Sequence, residues 1–261
     1  MKSHDHQHIN KDPLADSAGV PWDGRAFSEN PFANDDGSAR PELISAIAEF
    51  QKTGNPNQVF IEIAKSRLLI PLLADLGESE VGAHGQTVDK SADLSIVTVQ
   101  TPDNKTALPV FSSVETMKRW NSKARPVPSD AIRVALAAAS EGTERVVLDP
   151  GSETEFAMRR PAIAALAQQQ PWRAPHLDEA VLAEYKKGAL VEEHVVDLTT
   201  AAGDPTSRLA GSELVVTIFV KQGLASADLE VILHRIMERW AASELIASAV
   251  DSMTLVVKPV S

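Results

Sequence analysis

Cysteine is absent from the 261 residues, which excludes disulfide frameworks, zinc–thiolate sites, iron–sulfur clusters and thiol nucleophiles. Serine, histidine and carboxylate chemistry remain. Long apolar runs are missing too: stretches such as 68–74 and 214–220 fall far short of the ~20 residues of a membrane-crossing helix. The opening residues MKSHDHQHINKDPLADSAG lack the apolar centre of a secretory signal and are too acidic for a transit peptide, so a soluble, cytoplasmic protein is expected. There is no basic excess either. Net charge is −11 and acidic residues outnumber basic ones along the whole chain, the wrong sign for displacing counterions from nucleic acid or for holding anionic lipid. The signatures G-x-G-x-x-G, the P-loop lysine, H-E-x-x-H, G-x-S-x-G and S-x-x-K do not occur, and Gly82-Ala83-His84-Gly85 has no following lysine, so it reads as a loop. No catalytic residue, cofactor or metal site is expected on these grounds.

What is present is ordinary globular composition, with 43% hydrophobic and 23% charged residues. Residues 1–40, rich in Asp, Asn, Gly, Ser and Pro, show no periodicity and read as a largely disordered arm. In a chain with only 5% aromatics, that arm nevertheless carries Trp22, Phe27 and Phe32. They serve either to staple the arm to a folded body or as a peptide motif for a partner protein. His4, His6 and His8 offer adventitious metal ligands but read first as part of a solvated tail.

From Pro41 to the stop at Gly54, Leu43, Ile44, Ile47 and Phe50 predict an amphipathic helix, and Asn57 to Lys65 a second one. A strand over Arg67–Ile70 is expected to lie at an edge or break at Pro71, followed by a loop over 77–92. Leu94–Val99 and Ala107–Phe111, separated by Thr101-Pro102-Asp103-Asn104-Lys105, predict a hairpin. Ser112-Ser113-Val114-Glu115 fits a capping box, and Ser129 is the expected cap of a helix ending at Gly142. A strand Arg145–Leu148, a turn at 149–152, a short strand Phe156–Met158 and a helix from Pro161 follow. Gln168–Pro175 reads as a linker. Beyond it come helix 178–187, strands Val191–Leu198 and Leu214–Val220, helix 227–240 capped by Ser226, and strand Met253–Val257.

In order, the blocks AGVPWDGRAFSENPFANDDGSA, SRLLIPLLAD, VDKSADLSIVTV, ALPVFSSVETMKRW, AIRVALAAASEGTERVVLDPGS and EFAMRRPAIAAL resemble the bacterial SseB proteins, named for enhanced serine sensitivity, in their actinobacterial form. The resemblance covers most of residues 18–170 and is less secure over 171–261. It implies an α+β, or mixed α/β, architecture: a 1–40 arm, an SseB-like 41–170 domain with helices on a mixed β-sheet, and a smaller α+β C-terminal domain over 171–261. The family looks like one of unassigned biochemical activity, with no catalytic residues to carry over. It is not to be confused with an unrelated sulfurtransferase or an unrelated secretion translocon protein of the same name.

Candidate sites come from position. Asp149 and Ser152 follow the carboxyl end of a strand, where α/β proteins often bind ligands, although such residues also stabilise turns. Arg159 and Arg160 stand at a helix start and are candidates for receiving a carboxylate or phosphate, or else for surface pairing with Glu153 or Glu155. Asp89, Lys90 and Asp93 form a charged cluster that, with Trp22, Phe27 and Phe32, is a candidate partner-binding surface. His194 and His234 read as rim or core histidines. The expected function is a non-catalytic cytoplasmic adaptor or regulatory module for an unknown protein partner, with no nucleic acid or membrane involved. The alternative is a sensor or enzyme for a small amino-acid-like anion.

Overall fold

In a computed structural model, residues 32–75 and 93–260 are described. The chain divides into two units, Met1–Asp35 and Asp36–Ser261. Of the first, only a turn is described, in which the Asp35 N–H donates to the Phe32 carbonyl at 3.1 Å. The second unit runs α1 (Pro41–Thr53), α2 (Asn57–Lys65), β1 (Leu68–Asp75), β2 (Asp93–Ile96), β3 (Val99–Gln100), β4 (Thr106–Val110), α3 (Val114–Trp120), β5 (Arg125–Ser129), α4 (Ala131–Ser140), β6 (Arg145–Leu148), β7 (Phe156–Arg159), α5 (Arg160–Ala167), α6 (Glu179–Ala189), β8 (Val195–Ala202), β9 (Leu214–Lys221), α7 (Ser226–Ala241), α8 (Glu244–Ala249) and β10 (Met253–Val260). This is an α+β protein, and its described residues form three sheets, ordered β2-β1-β5, β3-β4-β6-β7 and β10-β9-β8.

Alternation in β4, β6 and β7 decides which face of the second sheet each element covers. Leu108, Val110, Val146, Leu148, Phe156 and Met158 join the buried faces of α1, α2, α4 and α5 in one core, while Ala107, Val147 and Ala157 turn to the other face and meet Leu209. A separate core gathers Val181 and Tyr185 of α6, Leu198, Leu214, Val216 and Ile218 of the third sheet, and Ile232, Ile236 and Trp240 of α7. β9 and β10 are parallel, with α7 and α8 as their crossover.

Pro71 does not end its strand. Leu69 exchanges both backbone bonds with Phe111, at 2.8 and 2.9 Å, so its neighbours Leu68 and Ile70 are the residues bonded to β5. Pro71, Pro126 and Pro128 therefore sit at positions whose N–H groups point away from the β1–β5 ladder, and β2 pairs with β1 only from Leu72 onward. Alternate prolines suit β5 because it is the sheet's edge. The expected 94–99 hairpin is split: Asp93–Ile96 pairs with β1, and only Val99–Gln100 pairs with Thr106–Ala107 across the turn. Two caps move by one residue: Ser129 closes β5, and Asp130 caps α4 by accepting from the Arg133 N–H. Likewise Ala225, not Ser226, is the N-cap of α7, and no side chain bonds there. The α3 capping box is formed by Ser113 with Thr116.

One close approach joins α6 to α7. The Trp240 indole N–H donates to the Tyr185 carbonyl at 3.0 Å, and its ring lies where a Gly188 Cβ would be, 2.7 Å away. Alanine favours a helix over glycine by about 1 kcal/mol, yet here the ring is held and has no room to retreat. Gly188→Ala is expected to destabilise the protein by about 1–2 kcal/mol, read as a lower urea midpoint with an unchanged slope.

Candidate functional site

The turn after β6 begins with Asp149 in the left-handed region, φ 47°, a conformation uncommon for a residue with a Cβ. Its surroundings account for it. The Asp149 N–H donates to the Val110 carbonyl at 2.8 Å. One carboxylate oxygen accepts from the Ser112 N–H and the Thr116 hydroxyl, at 2.8 and 2.9 Å. The other accepts from the Ser112 and Thr154 hydroxyls, at 2.6 and 2.8 Å. Four donors fill the acceptor capacity of a carboxylate, and Asp149 is fully buried. It joins the end of β4 and the start of α3 to the turn. Ser152 stays within the turn, its hydroxyl accepting from the Thr154 N–H at 3.1 Å.

Arg159 and Arg160 do not pair with Glu153 or Glu155; both reach to residues beyond 200. Arg159 is buried and donates to Asp204 at 2.8 Å and to the Gly211 carbonyl at 2.6 Å, with Asp251 at 3.5 Å. Directly across the β6–β7 ladder stands Arg145, only 1% exposed. It grips Asp251 with two bonds of 2.9 Å and Asp103 at 3.0 Å. Two like charges opposed on a ladder repel, and a buried guanidinium needs a partner; Asp251, set between the two, answers both needs. Arg160 donates to the Ala247 and Val250 carbonyls at 2.8 and 3.2 Å, satisfying the carbonyl end of α8.

Burial opposes ionisation of Asp103, but the Thr101 hydroxyl and Arg145 outweigh it and hold the carboxyl below its usual value. Glu213 goes the other way. Burial, with the Asp251 charge adding to it, pushes its carboxyl up to about 7, against the Asp251 N–H that it accepts at 2.6 Å and the more distant arginines. Beside Arg159, Phe60, Phe156, Trp172, His176 and Glu213 line a cavity of about 40 Å³, water-sized rather than metabolite-sized. Burial lowers the His176 imidazole below its usual value.

Of the other candidates, Trp22, Phe27, Asp89 and Lys90 lie outside the described residues, Phe32 is in the 32–35 turn, and Asp93 opens β2 opposite Asp75. His194 is half-buried, with its carbonyl accepting from Lys221, and His234 is exposed on α7 beside Glu238. No three His, Asp or Glu side chains converge as metal ligands among the described residues. Sequence reasoning missed Arg145, Asp204, Glu213 and Asp251. The only available signal was an arginine opening an otherwise apolar strand, since its partner lies 106 positions away.

Two outcomes test this description. Asp149→Ala leaves three hydroxyls and an N–H without their acceptor and is expected to destabilise by about 3 kcal/mol or more, measured by thermal melting. Glu213 retains its proton in the folded state over a range where the unfolded chain has lost it. Wild-type stability is therefore expected to fall as pH rises from 4.5 to about 7 and to level off above. Glu213→Gln removes that slope and gains up to roughly 3 kcal/mol at pH 8, read from urea unfolding across pH.

No curated protein and no solved structure matches the chain. The family model of the SseB protein N-terminal domain matches residues 42–165, the stretch from α1 into α5 that supplies Arg145, Asp149, Arg159 and Arg160. By that match, residues 42–165 form a domain of the SseB N-terminal type.

Proposed function

We propose that this chain is a non-catalytic protein-binding module of the cytoplasm, and that its partner is held in an apolar groove between α2, α4 and α5. The observation that carries this reading is the groove itself, about 340 Å³, lined by Phe60, Ile61, Ala64, Ala131, Ile132 and Ala165. Ile61 is 41% exposed, and Leu136, one turn beyond Ile132 on α4, is 58% exposed. Side chains of this type on neighbouring helices suit an apolar helix or loop from another protein. The acidic balance of the chain argues against a nucleic-acid partner. Trp22, Phe27, Phe32, Asp89, Lys90 and Asp93 are further partner-facing candidates in the same reading.

The alternative, a small anion bound by Asp149, Ser152, Arg159 and Arg160, has less support. Asp149 has no acceptor capacity left, and Arg159 is already paired with Asp204.

A photo-crosslinking residue placed at Ile61 or Leu136 in the native host is expected to give an adduct of one defined mass. The same residue at exposed Glu238 on α7 should give none, and Ile132→Glu should abolish the Ile61 adduct with stability changed by less than about 1 kcal/mol. Indistinguishable adducts at all three positions, or an adduct that survives Ile132→Glu, would rule out this groove as the partner site.

A further inference from the structure

A second groove, of about 460 Å³, lies in the C-terminal part of the chain, within the size range of small-molecule sites. Its walls include Met237 of α7, Ile246 and Val250 of the α8 segment, and Met253 of β10, and buried Tyr185 and Trp240 line it as well. Methionine side chains are flexible and polarizable, suited to a chain-like apolar ligand. One polar group borders this surface with donors to spare. Arg160 uses only Nη2, for the Ala247 and Val250 carbonyls. Its Nε and Nη1 take no hydrogen-bond acceptor among the described residues, and it forms no ion pair there. The Tyr185 hydroxyl, in a fully buried residue, has only the Met253 sulfur, at 3.5 Å, a weak acceptor. Burial, with the Glu213 charge, pushes that phenol up to about 12, so it stays a donor at neutral pH. Asp251, the one carboxylate on the lining, is neutralised by Arg145 and Arg159.

An apolar groove with a partly unused guanidinium at its border selects a ligand that is anionic at one end and hydrocarbon along its length. We propose that this groove binds an amphipathic monocarboxylate, a medium-chain fatty acid or acyl acid, with its carboxylate on Arg160 and its chain along Met237, Ile246 and Met253. At about 30 Å³ per heavy atom, the volume accepts roughly fifteen heavy atoms, which leaves room for decanoate as the probe. Guanidinium forms paired bonds with a carboxylate, so the charge rather than the chain alone sets the preference. This site is independent of the α2–α4–α5 groove, and the two readings stand or fall separately.

Calorimetric titration of the full chain with decanoate, below its micelle concentration, is expected to show saturable one-to-one binding. Decanol should bind at least about tenfold more weakly and acetate not at all. Arg160→Gln should weaken decanoate at least about tenfold and remove the preference over decanol. Because Arg160 also caps α8, Met237→Glu is the second variant: Met237 is 40% exposed, and the substitution sets a carboxylate on the groove wall without emptying a core position. It is expected to abolish decanoate binding at an unchanged melting temperature. Absence of decanoate binding, equal affinity for decanol, unsaturable uptake, or full affinity retained in Met237→Glu would each overturn the assignment.

Discussion

The register of β6 against β7 places Arg145 directly opposite Arg159 in the interior of the protein, and much of the structure answers that constraint. Two guanidiniums facing one another across a ladder cannot be buried unless acid is brought to them. The acid comes from three directions: Asp103 from the turn before β4, Asp204 from the loop after β8, and Asp251 from the turn before β10. Each carboxylate fixes its own loop. Asp204 also accepts from the Leu209 N–H at 2.7 Å, and Leu209 then covers the far face of the β4-β6-β7 sheet. The SseB domain is thus completed, electrostatically and sterically, by residues beyond its own match at 42–165.

The same constraint bears on function. Polar side chains that sequence position marks as ligand-binding are used to hold loops in place: Asp149 ties β4, α3 and the 149–154 turn together, and Arg159 ties β7 to the loops at 204 and 211. With those groups engaged internally, two grooves with apolar walls are offered as candidate recognition surfaces. One has exposed aliphatic side chains, and the other has a guanidinium with unused donors.

Local sequence determined the helices and most of the strands, because their signals are local. Pro41 and Gly54 bound α1, and the alternation through Leu214–Val220 yields one buried face and one half-exposed face. The absence of cysteine, the acidic balance and the ordered SseB blocks were equally legible, as was the α+β class. What only the tertiary structure decided depends on residues far apart in the chain. The run 94–99 divided between two sheets because β1 supplied an edge for one half and β4 for the other. Pro71 stayed in its strand because no partner needed the N–H it lacks. Arg145 gained its meaning from Asp251, 106 positions away, and Arg160 from the carbonyl end of a helix 87 positions away. Propensity and capping act over a few residues, whereas the pairing of a buried charge is settled by whichever distant group the fold brings to it.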